Sequence, residues 1–156
     1  MSPKQRLLCY GVGLILLALL TGIWTGLVIT GKLPGPDAHQ SLATHLEALL
    51  NGMMLILLAV ALDSARLNDS RKNLVVWLLI YEGYMNWFAT GISAFWHVNG
   101  LDLAPSLGWK NNTIAVALYS VVLTGIVGLS LLLWGLIQQG LAESKPTESI
   151  RKTVAK

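Results

Sequence analysis

Four long apolar runs constrain this chain more than any other feature: Leu7 to Thr30, Leu42 to Leu62, Leu74 to Trp96 and Thr113 to Gln138. Each is long enough to cross a bilayer, whose hydrocarbon core takes roughly 20 apolar residues as helix. Among 156 residues 54% are hydrophobic and only 12% are charged, about half the charged share of a soluble domain. Lipid admits only helices and closed barrels, because every backbone polar group must be satisfied internally. The expectation is therefore all-α: an integral membrane four-helix bundle over residues 1–139, followed by a polar tail over 140–156 that contains Pro146 and stays disordered or lies on the surface. No length remains for a soluble catalytic domain. Any chemistry has to be built from polar side chains inside the bundle or at its mouth.

The connections, Gly31 to Asp37, Asp63 to Asn73 and Asn99 to Asn112, carry the breakers and caps expected of loops. The first run follows a basic start like that of a signal peptide, but its length of about 24 residues argues for a retained span. With four spans both termini share one side. That side collects Lys4, Arg6, Arg66, Arg71, Lys72, Lys145, Arg151, Lys152 and Lys156, against Lys32 and Lys110 on the other. The positive-inside rule then places both termini in the cytoplasm, with a bacterial inner membrane as the expected location. Basic residues so scattered do not form a nucleic-acid surface, despite a formal net charge of +3. The single cysteine, Cys9, excludes an intramolecular disulfide and any Cys-based metal or iron–sulfur site. Small residues at four-residue spacing, Gly22/Gly26 and Ser120/Thr124/Gly128, allow close helix approach within or between subunits.

The third run carries Glu82, Asn86, Thr90, Ser93 and His97. Steps of four, four, three and four put them on one helical face, which cannot comfortably meet lipid. An acidic group near mid-membrane costs on the order of 3 kcal/mol on insertion scales, so Glu82 needs a proton or a partner. In the second run His45 lies near the outer end and Asn51 about 9 Å deeper. Counting inward brings Asn51 and Asn86 to within about a turn of the same depth, a polar cluster overlain by a histidine. Gly52 shares the face of His45 and leaves room for a flat cofactor. By position alone His45 is either an interfacial hydrogen-bonding residue or a ligand. Lys32 and Lys110, the outward cations, are either pairing groups for cofactor carboxylates or ordinary loop lysines. His39 and His97 also fall toward the outer side, but their spacing matches no zinc signature. Tyr84, Trp87 and Phe88 are candidates for shaping a pocket.

The stretch from His45 to Met54, with Asn51-Gly52-Met53-Met54, resembles the corresponding helix of the styrene oxide isomerases, and so does Glu82-Gly83-Tyr84-Met85-Asn86 on the next span. The resemblance extends loosely over most of the chain and is specific in these two motifs. It implies a membrane enzyme that converts an aryl epoxide to an aldehyde, and a homo-oligomer, a trimer, with b-type haem between subunits. It implies His45 as the iron ligand, Asn51 holding the epoxide, and Glu82 and Asn86 as polar supports. Threonine stands at Thr90 where the family has a tyrosine, and it lacks that residue's reach and aromatic face. In the implied reaction ferric iron acts as a Lewis acid, a 1,2-hydride shift follows ring opening, and dry walls keep water from trapping the cation. The implied surroundings are membrane lipid, a small aromatic epoxide and an upstream monooxygenase. Two further classes stay open: a haem electron carrier using His45 and His97, and a cofactor-free structural or transport bundle.

Overall fold

The computed structural model describes residues 1–144. Four long helices follow one another: α1 (Pro3–Ile29), α2 (Ala38–Ser64), α3 (Asp69–Trp96) and α4 (Gly108–Glu143), with one 3₁₀ turn, Pro105–Leu107, before α4. Residues 1–144 contain no strand. The sequence marks the starts. Ser2 and Gln5 form a reciprocal capping box at α1, Asp37 Oδ1 accepts the Gln40 N–H at 2.8 Å at α2, and Asn68 Oδ1 accepts the Arg71 N–H at 2.9 Å at α3. The helices overrun the apolar runs at most ends. α4 continues to Glu143 with Ser144 as its cap, past the boundary expected at Gly140, and residues 145–156 of the expected tail lie outside the described residues.

Three of the four helices, α1, α2 and the segment ending in α4, are long and apolar enough to cross a membrane. α3 is as long but less apolar, because it carries Glu82 and Asn86 in its middle and Asp69, Arg71 and Lys72 at its start. Its polar face is turned onto its neighbours, where Thr90 and Ser93 are buried.

α1 packs along α2, α2 along α3, and α3 along α4, around a core of Leu14, Leu55, Leu62, Val75, Val76 and Leu79. The first crossing depends on two glycines. A Cβ on Gly11 would stand 2.9 Å from the Gly52 carbonyl oxygen, and one on Gly52 would stand 2.9 Å from the Gly11 carbonyl oxygen and 2.7 Å from Ile15 Cγ1. Here the backbones themselves touch. At the end that holds the N-terminus, Lys4 pairs with Asp63 at 2.5 Å and Arg6 lies 5.2 Å over the Trp77 ring. At the other end the Asp37 N–H donates to the Ala94 carbonyl at 2.9 Å, fixing α2 against α3. The last loop is bound by side-chain amides. Asn111 accepts from the Gly100 N–H and donates to the Asp102 carbonyl, while Asn112 makes the equivalent pair with Ala104.

Candidate functional site

A cavity of about 630 Å³ lies between α2, α3 and α4. α2 contributes His39, Gln40, Ala43 and Glu47, and α3 contributes Glu82, Asn86 and Thr90. Tyr119, Val121, Val122, Gly125 and Ile126 of α4 form the facing wall, and Asn99, Gly100 and Leu101 close the end nearest the last loop. Tyr119 donates its hydroxyl to the Leu101 carbonyl at 3.1 Å, joining wall to roof. The size suits a small organic molecule, and the wall is apolar wherever α4 supplies it.

The polar end of this cavity is organised around Glu47, which the sequence reading passes over. Its Oε2 accepts the Nδ2 of Asn86 from α3, and the Nδ2 of Asn51 one turn further along α2 at 3.4 Å. Asn51 and Asn86 therefore do stand at one level, as depth counting implies, with a carboxylate between them. A usable signal is present in the sequence: Glu47 and Asn51 are four apart, on one face of α2. Asn51 is buried behind Glu47 and does not line the cavity. Thr90 does, but its hydroxyl proton is directed at the carbonyls of Asn86 and Trp87, 2.9 and 3.0 Å away. Glu82 lies one turn beyond Asn86, toward the opposite end of α3. Among the described residues it has no hydrogen-bond partner, and its Oε2 is fully buried. Gly125 of α4 makes room for it, since a Cβ there would come within 3.2 Å of Glu82 Cγ.

His45 is not part of this cluster. Residues two apart on a helix differ by about 200°, so His45 and Glu47 face opposite sides of α2. The imidazole lies against α1, with Nδ1 2.8 Å from the Ala18 carbonyl and Cε1 3.0 Å from where a Gly22 Cβ would stand. A carbonyl can only accept, so Nδ1 carries a proton, and in the neutral ring Nε2 is the nitrogen with the lone pair. Nε2 has no hydrogen-bond partner among the described residues and is not among the enclosed atoms.

Other expected positions shift as well. The room expected beside Gly52 is filled by Ile15 and the Gly11 backbone. Lys32 is exposed in the turn after α1, and Lys110 lies in the first turn of α4 with its ammonium 6.0 Å over Trp96. His97 leaves the polar stripe because it caps α3 in a left-handed conformation, φ 54°. It is exposed and shares a small rim cavity with Asp37, His39 and Asn99, so it does not meet His45. Trp87 and Phe88 line a separate apolar cavity of about 330 Å³ with Trp24 and Phe95, on the other side of α3. A further apolar cavity, of about 430 Å³, is lined by Tyr84 together with Trp87, Phe88 and Trp77, and Tyr84 donates its hydroxyl to the Tyr10 carbonyl at 2.9 Å.

The sequence has known counterparts. A family model described as styrene oxide isomerase matches residues 3–137. The chain belongs to the styrene oxide isomerase family. It is similar to two proteins of Ectopseudomonas oleovorans. Hydroxylaminobenzene mutase HabB is 33% identical over 138 residues, 85% of this chain and 80% of the relative. Hydroxylaminobenzene mutase HabA is 30% identical over 142 residues, 86% of this chain and 99% of the relative. Membership of this family, together with three span-capable helices, makes the chain an integral membrane protein of an isomerase family.

Proposed function

We propose that this protein is a membrane-embedded isomerase of a small aryl substrate, and that the substrate is an arylhydroxylamine of the hydroxylaminobenzene type. The observation that carries this reading is the cavity, in which the carboxyl groups of Glu47 and Glu82 and the amide of Asn86 meet inside an otherwise apolar bundle. The names of HabA and HabB support the choice of substrate.

A mutase acting on hydroxylaminobenzene breaks the N–O bond and forms a C–O bond to the ring, giving an aminophenol with the same atoms. Nitrogen is reduced as the ring carbon is oxidised, so no outside oxidant is needed. The departing oxygen takes a proton that it returns on joining the ring. The ring carbon then loses its hydrogen as a proton, and a proton ends on nitrogen. Carboxyl groups can carry such protons. Glu82 moves a proton at its carboxyl group, Glu47 faces the substrate with Oε1, Asn86 orients it, and Thr90 offers a hydroxyl oxygen as acceptor. The apolar wall of α4 limits attack by bulk water on the electron-poor ring.

Haem b is the proposed cofactor, and the donor set fits it. His45 Nε2 is the lone-pair nitrogen of a ring held by the Ala18 carbonyl, an arrangement common in metal-ligating histidines. When bound, ferric haem supplies Lewis acidity toward a substrate oxygen. Lys32 and Lys110 stand at the same end of the bundle as cations for its carboxylates. The opposite directions of His45 and Glu47 on α2 support a homo-oligomer, a trimer by the family's pattern, in which neighbouring copies complete the site. We take α3 as a fourth span, both termini as cytoplasmic, and the membrane as the bacterial inner membrane.

The family's description favours a second reading, an aryl epoxide of the styrene oxide type isomerised to an aldehyde, with a monooxygenase upstream. Incubating the purified protein, expressed with haem, with hydroxylaminobenzene and separately with styrene oxide distinguishes the two. Aminophenol formed at least about tenfold faster than phenylacetaldehyde is the expected result. Aldehyde formation with hydroxylaminobenzene left unchanged establishes the epoxide reading instead, and no isomer from either overturns both.

A further inference from the structure

Two amide nitrogens from different helices converge on one oxygen, Glu47 Oε2. An amide presents either its NH₂ or its carbonyl oxygen, and the partner decides which. Because Glu47 Oε2 accepts from both, it fixes both amide orientations and leaves the Oδ1 of Asn86 as that side chain's free group. Glu47 Oε1 has no partner among the described residues, and Glu47 lines the cavity. Thr90 has directed its proton at backbone carbonyls, so toward a ligand it offers lone pairs. The inner end of the cavity is thus rich in acceptors. A ligand bound there has to bring donors, because acceptors left facing acceptors lose their hydration without replacement. An arylhydroxylamine has an N–H and an O–H, whereas an epoxide has neither.

We infer that Glu47 is a positioning and specificity-determining residue: through Oε2 it orients Asn86 and Asn51, and through Oε1 it selects aryl substrates that donate N–H and O–H bonds over aryl epoxides. This rests on the isomerase reading and adds the residue that sets its substrate class. Glu47→Gln is the informative variant. Glutamine keeps one oxygen to accept from both asparagines, so the bundle and the amide orientations persist, but its other atom becomes an NH₂ donor.

The expected result is a KM for hydroxylaminobenzene raised at least about tenfold, the range of a charge-assisted hydrogen bond, with a much smaller change in kcat. Styrene oxide, as competitor, binds Glu47→Gln more tightly than wild type, because the new N–H can donate to the epoxide oxygen. A merely structural role would leave the KM for hydroxylaminobenzene and the affinity for styrene oxide unchanged in the folded glutamine variant, and that result overturns the inference. Glu47→Ala removes the shared acceptor and lowers kcat, and Glu47→Asp recovers less than wild-type activity because its carboxylate is one carbon shorter. If wild type turns over neither compound, the isomerase reading fails by itself. The inference is then read from thermal shifts of wild type and Glu47→Gln with the two compounds: a reversal of preference supports it, and identical preference contradicts it.

Discussion

Replacing Glu82 by glutamine lowers turnover of hydroxylaminobenzene by about 100-fold or more, the usual contribution of a positioned acid–base group, while the helices stay intact. The reason is the isolation of this side chain. Glu82 lies in the middle of α3, lines the cavity, and has a fully buried oxygen with no hydrogen-bond partner among the described residues. A buried polar atom without a partner costs free energy, and such groups tend to be kept where they act on a ligand. Glutamine preserves shape and polarity but cannot shuttle a proton. Glu82→Leu removes the unpaired carboxyl altogether, so its thermal midpoint in detergent should equal or exceed that of wild type while activity is lost. That pairing of higher stability with lost function is characteristic of a site residue. Steady-state rates and melting curves on the same preparations check both parts, and a glutamine variant with wild-type kcat would remove Glu82 from the chemistry.

His45→Ala is expected to abolish most of the haem absorbance of protein expressed with haem, without unfolding it. The ring is half-buried and contributes one hydrogen bond, to the Ala18 carbonyl, so its removal leaves the α1–α2 crossing at Gly11 and Gly52 untouched. Gly22→Val tests the same site from the other side. Its side chain would occupy the place where the imidazole passes 3.0 Å from a Cβ, displacing the ring and lowering haem content. Soret absorbance per mole of protein is the readout. Full absorbance in folded His45→Ala would assign the haem to another ligand or remove haem from the account.

The difference between what the sequence discloses and what needed coordinates follows from helix geometry. Apolar length gives the helices, and the spacing of Glu82, Asn86 and Thr90 gives their shared face, because both depend on local periodicity alone. Counting residues from the ends also gives depth, which is why Asn51 and Asn86 meet at one level. Depth does not give direction. His45 and Glu47 differ by three ångströms of rise but by more than half a turn, so the histidine faces α1 and the glutamate faces α3. Gly52 reads equally as space or as contact until the neighbouring helix is placed, and Gly11 makes it contact. His97 continues the 4-4-3-4 spacing on paper, but the helix ends there in a left-handed cap. Glu47 escapes notice because its significance lies across the interface, in the amide of Asn86.

The most direct measurement of the central claim follows the oxygen. Hydroxylaminobenzene is converted by the purified wild-type protein in water enriched in oxygen-18, and the aminophenol is analysed by mass spectrometry. An isomerase whose cavity excludes bulk water returns the substrate's own oxygen to the ring, so the expected product lacks the heavy isotope. Full incorporation of the isotope would show that solvent water supplies the hydroxyl group, and would contradict an intramolecular reaction in this cavity.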